Sequence, residues 1–280
     1  MVYISPARSQ PPCWPCCNAT HDYIVKIARE LSAQLIREGE KTRYNAHGLF
    51  GIFANGDAID FNVTGRTRMK DQMPWLLNYH NAKTRFMFSR LCALAQQRQI
   101  STICEIGFNA GLSAMLLLET VRSARVLSYD LGDFRWARRA DELVVAAYGR
   151  ARFPGVRFGD STSILRAQKQ ADPAFKCDAA FIDGSKKYDG RMQHLLDIRS
   201  VATSGVPVFL DEITSMRCIN GSIPDVAQHR AECYALNEGY WESTRAYTNA
   251  VRSGLLRIVE CTWPPRGLQD RDGICLAELL

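Results

Sequence analysis

The chain has 280 residues, and its 35 lysines and arginines exceed its 29 aspartates and glutamates, which gives a formal net charge of +6. Hydrophobic residues make up 46% of the sequence and charged residues 23%, a composition typical of globular proteins and not of disordered or fibrous ones. No run of about 18 apolar residues occurs, so we expect no membrane-spanning helix. The basic residues nowhere form a run of five or more, so we expect no nucleic-acid partner.

The cysteines bear on the cellular compartment. Of the ten in the sequence, seven are scattered singly, mostly among apolar residues: Cys92, Cys104, Cys177, Cys218, Cys233, Cys261 and Cys275. A free buried cysteine behaves as a small hydrophobic residue, and reduced thiols are typical of the cytosol. The start of the sequence, MVYISPARSQPPCWPCC, has no apolar stretch of signal-peptide length. We therefore expect a cytoplasmic protein with free thiols.

The first 72 residues differ from the rest in composition and in the spacing of their apolar residues. Residues 1–19 are rich in proline and cysteine, which indicates a flexible N-terminal arm. Within residues 20–72, a helical period is followed by two short apolar runs around Asn55-Gly56, a pair that strongly favours a hairpin turn. We expect this N-terminal helix and hairpin to form a lid or a dimer contact, so that a homodimer is one expected assembly.

The remaining chain, residues 73–280, reads as one α/β domain. A helical pattern from about Pro74 to Arg98 comes first. Short apolar strands then alternate with helical stretches from Ile100 to the segment PVFLDE, which predicts a mostly parallel sheet with helices on both faces. The last two apolar segments, GLLRIVECTW and GICLAELL, have no helical pattern between them and predict an antiparallel pair at the sheet edge.

A glycine turn follows the first predicted strand. In the segment EIGFNAGLS, Gly107 and Gly111 would let the backbone turn tightly and approach a ligand, and the following helix N-terminus would offer amides to an anion. The pattern lacks one glycine of GxGxxG, which counts against a dinucleotide. It suits a ligand with a single carboxylate, such as S-adenosylmethionine. A plain strand–turn–helix would also account for the glycines alone.

Acidic residues end the next strands. Asp130 ends the second strand, where it could accept hydrogen bonds from ribose hydroxyls, and Asp160 ends the third, where it could accept the adenine amino group. Either residue alone is more often a helix cap. In open parallel sheets, however, ligands bind beyond the carboxyl ends of the strands. Because four successive strands end at Glu or Asp, we favour a shared ligand site.

The fourth and fifth strands bring three carboxylates together. Asp183 ends the fourth strand, and Asp211 and Glu212 end the fifth. Unpaired carboxylates repel one another strongly at low dielectric, so a cation is expected among them, and a hard divalent ion such as Mg²⁺ or Mn²⁺ would suit oxygen ligands. The alternative is neutralisation without a metal, by the basic side chains of Lys186, Lys187 or Arg217.

These segments resemble class I S-adenosylmethionine-dependent methyltransferases. EIGFNAGLS is similar to that family's first motif, YDLGDF to its acidic second motif and FGDS to its adenine motif, while FIDGSKKYDG followed by FLDE resembles the small-molecule O-methyltransferases of the catechol and caffeoyl-coenzyme A kind. The resemblance implies a Rossmann-like sheet of seven strands, mostly parallel with the last antiparallel. It also implies S-adenosylmethionine as cofactor, bound by Glu105, Gly107, Asn109, Gly111, Ser113, Asp130, Asp160, Ser161 and Asp183.

The same resemblance implies a mechanism. Asp183 and Asp211 match the metal-binding aspartates, Glu212 stands where that group has asparagine, and Lys186 matches the catalytic base. The expected reaction is methyl transfer to a hydroxyl oxygen of a small molecule, with Asp183 and Lys186 as catalytic residues. Lys186 could accept a proton if its surroundings lower its pKa. An NAD-dependent oxidoreductase and a non-catalytic interaction module of the same fold remain the alternatives.

Overall fold

The computed structural model describes residues 73–134, 137–213, 241–263 and 273–280, with the side chains of residues 73–82 and of Trp241 left aside. The predicted arm and the predicted helix and hairpin of residues 20–72 lie outside the described residues. The described chain follows the predicted alternation, with these elements in chain order: α1 Met73–Gln97, β1 Thr102–Ile106, α2 Leu112–Thr120, β2 Arg125–Asp130, α3 Ala137–Tyr148, β3 Arg157–Phe158, α4 Ser161–Ala171, β4 Ala179–Ile182, α5 Tyr188–Ser200, β5 Pro207–Ile213, α6 Trp241–Arg252, β6 Leu256–Thr262 and β7 Gly273–Leu279.

The described strands form one seven-stranded sheet in the order β3-β2-β1-β4-β5-β7-β6. Strands β1 to β5 pair in parallel, whereas β7 runs antiparallel to both of its neighbours, β5 and β6. The predicted α/β fold, mostly parallel with an antiparallel last strand, is therefore confirmed. The strand order reverses direction between β1 and β4, and crevices at such switch points are where open α/β sheets bind ligands.

Helices cover both faces of the sheet because side chains of successive strand residues alternate between its faces. On one face, Ile103 packs with the apolar residues of α1, α2 and α3. On the other, Cys104 packs with Leu165 of α4 and Leu195 of α5. The central strands are buried on both sides, and their sequences are accordingly near-continuous apolar runs.

The helix α6 was not predicted. Its buried face consists of small and polar residues: Ser243, Thr244, Ala246, Tyr247, Thr248 and Ala250. Polar and less polar residues do repeat with a helical period in this segment, but few of the buried ones are large and apolar, and the helix was overlooked. The helix packs against α5 and β5.

The prediction of free thiols is wrong for the described cysteines. Cys104 is bonded to Cys177, Cys261 is bonded to Cys275 across β6 and β7, and Cys92 is also disulfide-bonded. Sequence spacing alone does not reveal such pairs, because the partners are brought together only by sheet pairing. Among the described residues, no helix combines the length and apolarity needed to cross a membrane.

Candidate active site

The ends of strands β1 to β4 lie side by side at one edge of the sheet. Just beyond the strands, the pairing continues through three backbone hydrogen bonds: the amide of Gly107 donates to the carbonyl of Tyr129 (2.9 Å), that of Asp183 to Ile106 (2.8 Å), and that of Gly159 to Asp130 (2.8 Å). The predicted acidic ends of β2, β3 and β4 are therefore aligned along one edge. Glu105 differs, since it lies within β1 and is fully buried.

The glycine turn after β1 is held in shape by Asp130. One carboxylate oxygen of Asp130 accepts the amides of Phe108 and Asn109, both at 2.9 Å, and the other accepts the amide of Gly132 at 2.7 Å. Asn109 and Gly111 have φ angles of 49° and 80°, in the left-handed region. Since a carboxylate offers about four acceptor positions, Asp130 keeps room for a further hydrogen bond to a ligand.

The α2 helix begins directly after this turn. Gly111 is its N-cap residue and provides no side-chain hydrogen bond to the helix, and no acidic side chain lies in the first turn. The first amides of a helix have no partner inside it. This end of α2 therefore presents donors and a positive partial charge to an anionic ligand, as the sequence predicted.

Glu105 is a buried carboxyl beneath the glycine turn. The hydroxyl of Ser128 donates to its Oε2, while Oε1 has no hydrogen-bond partner within the described part of the chain. Burial raises the pKa of Glu105 to about 7, although the nearby Ser113 and Ser128 hydroxyls work in the opposite direction. The side chain thus holds a proton over part of the neutral pH range. Its predicted contact with a cofactor stays a prediction.

Asp160 caps the helix α4. Its side chain accepts the backbone amide of Ser163 at 3.0 Å and the hydroxyl of the same residue at 2.6 Å. These hydrogen bonds lower the pKa of Asp160. The residue is exposed, whereas Ser161 beside it is buried. Helix capping, the alternative weighed for this residue, is its visible role, and contact with adenine stays a prediction.

The ends of β4 and β5 carry a compact cluster of charges. Lys186 pairs with Asp183 (Nζ to Oδ1, 2.9 Å) and with Glu212. The buried Arg191 on α5 pairs with Glu212 (Nη2 to Oε2, 2.6 Å). A fourth ion pair belongs to the same cluster: Lys83 on α1 contacts Asp211 (Nζ to Oδ1, 2.5 Å). We refer to Asp183, Asp211, Glu212, Lys83, Lys186 and Arg191 as the charge cluster.

The charge cluster touches the glycine turn. A Cβ atom added to Gly107 would overlap the backbone carbonyl of Asp183, so the two segments approach as closely as a glycine permits. A ligand resting on the turn would therefore lie beside Asp183 and Lys186. This contact joins the two halves of the predicted site.

Comparisons with known proteins agree with this geometry. Residues 104–213 match the family model described as a methyltransferase domain. This segment is therefore similar in sequence to methyltransferase domains. An O-methyltransferase from Bacillus cereus, solved in complex with SAH, shares the fold at 14% identity and a TM-score of 0.56, over 93% of this chain and 96% of that one. An O-methyltransferase involved in tomaymycin synthesis from Streptomyces achromogenes, in complex with SAM, shares it at 18% identity and a TM-score of 0.51, over 69% and 79%. No curated protein sequence matches the chain.

The groups at the glycine turn suit the cofactor that the resemblance implies. The uncapped start of α2 suits a carboxylate, the left-handed turn at Gly111 lets the backbone come close, and Asp130 retains acceptor capacity for hydroxyls. These groups fit S-adenosylmethionine. They are also the groups that the sequence singled out.

The residues of the charge cluster do not fit a divalent metal. All three expected ligands, Asp183, Asp211 and Glu212, already contact a lysine or an arginine. Because three cations face three carboxyl groups, the cluster has no net negative charge to attract a dication. Within the described residues, no group of three or more histidine, cysteine or carboxylate side chains is arranged as a metal site. The geometry favours the alternative interpretation, neutralisation by basic residues.

Two of the neutralising residues were missed from the sequence. Of the three proposed there, Lys186 takes part, Lys187 instead pairs with Glu242 at 3.5 Å, and Arg217 lies outside the described residues. The missing partners are Lys83 and Arg191. A basic residue buried on a helix gives no distinctive sequence signal unless the packing of that helix against the strand ends is already known.

The pKa values oppose the predicted base. Burial by itself would lower the pKa of Lys186, but the carboxylates of Asp183 and Glu212 outweigh burial and raise it well above its ordinary value. Lys186 is therefore a stable cation at neutral pH, and the condition for its acting as a base is not met. Burial, with repulsion from the other carboxylates, instead raises the pKa of Asp183 and raises that of Glu212 to about 8.

Glu212 has an unusual backbone conformation. Its φ angle is 66°, in a region that L residues with a side chain seldom adopt, and its side chain is 6% exposed. The backbone amide of Glu212 donates to the carboxylate of Asp211 at 2.8 Å, and its own carboxylate is held by Arg191 and Lys186. Strained residues of this kind persist where surrounding contacts hold them, and they gather at functional sites.

Proposed function

We propose that the chain is an S-adenosylmethionine-dependent methyltransferase that methylates a hydroxyl oxygen of a small molecule. The observation that carries the proposal is the contact between Gly107 and the backbone of Asp183. Because of this contact, a cofactor resting on the glycine turn would present its methyl group next to Asp183 and Lys186. Holding the reacting atoms close and aligned is the largest contribution a methyltransferase can make.

Cofactor binding would use the turn and the first strand ends. The α2 amides beyond Gly111 would hold the carboxylate of S-adenosylmethionine, and the remaining acceptor capacity of Asp130 would take a ribose hydroxyl. When bound, S-adenosylmethionine supplies a methyl group on a sulfonium centre. The O-methyltransferases of similar fold, described in complex with SAH or SAM, support this choice of cofactor.

The acceptor hydroxyl would meet Lys186 and Asp183, the two members of the charge cluster with the more exposed side chains, 45% and 31%. The ammonium of Lys186 would donate a hydrogen bond to the acceptor oxygen and stabilise the negative charge that develops there. The proton would pass to Asp183 or Glu212, because burial raises the pKa of both carboxyls, that of Glu212 to about 8, and so makes each a stronger base. Lys186 would thus be an electrostatic catalyst and not the base.

Calorimetric titration with S-adenosylhomocysteine tests the cofactor assignment. The protein should bind one equivalent, and it should bind NAD much more weakly, because the turn lacks the glycines that a pyrophosphate needs. Asp130→Asn should weaken the binding of S-adenosylhomocysteine by about tenfold, since hydrogen bonds to a charged acceptor contribute about 1.5–3 kcal/mol. Asp172→Asn, at the exposed end of α4, is the matched control and should bind as the unmodified protein does.

The outcomes separate the alternatives that the sequence left open. Preferential binding of NAD would refute the proposal and favour an oxidoreductase. Absence of binding to either ligand would favour a non-catalytic module of the methyltransferase fold. The predicted homodimer and the predicted cytoplasmic location are independent of this test.

A further inference from the structure

We infer that the charge cluster works without a divalent metal, because Lys83 and Arg191 supply the positive charge that an ion would otherwise provide. The role of the charge cluster in catalysis rests on the proposed function. The absence of metal binding does not, because it follows from the charges of the cluster. The contacts of two of the cluster's three cations, Lys83 and Arg191, carry the inference.

Lys83 is a buried lysine that reaches Asp211 from α1. Its side chain is 9% exposed, and its Nζ lies 2.5 Å from Asp211 Oδ1. Burial by itself would raise the pKa of Asp211, but the Lys83 ammonium overcomes that and lowers it. An ion bound to Asp211 Oδ1 would have to break this buried ion pair, and breaking a buried ion pair is strongly destabilising.

Arg191 opposes metal binding at Glu212 in the same way. Its side chain is fully buried; it donates to Glu212 Oε2 at 2.6 Å and to the carbonyl of Ile182 at 3.0 Å, and its guanidinium lies 5.6 Å from the ring centroid of Tyr247. Glu212 occupies the position where the small-molecule O-methyltransferases that the sequence resembles have asparagine. Because the carboxylate of Glu212 is paired with the buried guanidinium of Arg191, glutamate at this position adds no negative charge that could attract a metal.

Lys83 also positions Glu212. The oxygen of Asp211 that Lys83 contacts is the one that accepts the backbone amide of Glu212 at 2.8 Å. Lys83 therefore fixes Asp211, and Asp211 in turn supports the left-handed backbone of Glu212. Lys83 is a positioning residue, since it acts on the reaction through these carboxylates and not on the acceptor.

Direct titration with Mn²⁺ tests the inference without any assay of activity. The unmodified protein, treated with EDTA and then dialysed, should show no saturable binding of Mn²⁺ by calorimetry or electron paramagnetic resonance. Lys83→Met keeps an apolar side chain of similar length and removes one positive charge from the cluster. We expect it to bind Mn²⁺ at least about tenfold more tightly than the unmodified protein does. Lys187→Met, which removes the neighbouring lysine paired with Glu242, should leave Mn²⁺ binding unchanged.

Saturable Mn²⁺ binding to the unmodified protein, abolished in Asp211→Asn, would overturn the inference. So would a Lys83→Met variant that folds and binds Mn²⁺ no better than the Lys187→Met control. Should Lys83→Met fail to fold, the unmodified protein decides alone: its melting temperature should be the same in EDTA and in millimolar Mg²⁺ or Mn²⁺, and a rise with the metal would contradict the inference. Titration of the same samples with S-adenosylhomocysteine keeps the two proposals apart, because a failure of cofactor binding would refute the proposed function and leave the metal result standing.

Discussion

Replacing Glu105 by glutamine should make the stability of the domain less sensitive to pH. The pKa of this buried carboxyl is raised from 4.5 to about 7, so the folded state keeps a proton that the unfolded chain has already released. The stabilising effect of that proton is fully present below pH 4.5 and is lost as the pH rises through about 7. Each pKa unit corresponds to about 1.4 kcal/mol, so the whole effect is about 3 kcal/mol.

Chemical denaturation at intervals between pH 4.5 and pH 8.5 measures this effect. Asp183 and Glu212 also have raised pKa values, so the unmodified protein should lose stability over a wider range than Glu105 alone would give. The difference between the unmodified protein and Glu105→Gln isolates the contribution of Glu105. Glutamine keeps the size of the side chain and an oxygen that can accept the Ser128 hydroxyl. Glu260→Gln, at an exposed carboxylate on β6, is the matched control and should keep the full slope.

Equal pH dependence in Glu105→Gln and the unmodified protein would refute this reasoning. It would mean that Glu105 is ionised in the folded state and that water or an undescribed group reaches its Oε1. A variant that is less stable at every pH by the same amount would likewise show that shape, and not the proton, is what Glu105 contributes.

Three further changes have distinct expected outcomes. Gly107→Ala places a Cβ against the carbonyl of Asp183 at a φ of 100°, so thermal melting should show a loss of about 2–4 kcal/mol and calorimetry a loss of S-adenosylhomocysteine binding. Asp160→Ala removes a helix cap and should cost about 1 kcal/mol in denaturation; a larger loss of cofactor affinity than Asp172→Asn shows would establish the predicted adenine contact. Lys186→Ala should slow methyl transfer by about 10²–10³, as loss of a donor to the developing charge does elsewhere, with S-adenosylhomocysteine affinity unchanged. In the unmodified protein the rate of methyl transfer should rise with pH through about 8, where Glu212 releases its proton. A rise only near the ordinary pKa of lysine would indicate that Lys186 is the base.

The sheet and its edge were predictable because their signals are local. Strands β1 and β4 are short apolar runs, each followed by glycines or an acidic residue. Because parallel strands place their carboxyl ends at one edge of the sheet, these residues could be predicted to lie side by side. The antiparallel pair at the end of the chain could be recognised from the lack of a helical pattern between β6 and β7. The insertion of β7 between β5 and β6 was not predicted.

The charge cluster was half predictable for a physical reason. The carboxylates lie at strand ends, where position in the sequence fixes position in space. Lys83 and Arg191 lie on helices, and their approach to the carboxylates depends on how α1 and α5 pack, which no spacing encodes. The pKa of Lys186 follows from the same contacts, so its role as a cation could not be read from the motif alone.

The bond between Cys261 and Cys275 closes a covalent ring around residues 262–274. A peptide bond cut anywhere inside that ring would leave a single molecule of unchanged mass on a non-reducing gel, apart from one added water. Only a reducing agent would release the short C-terminal fragment that carries β7. Because β7 is the strand that joins β5 to β6, a protein cut within this ring would keep its sheet until the disulfide was reduced.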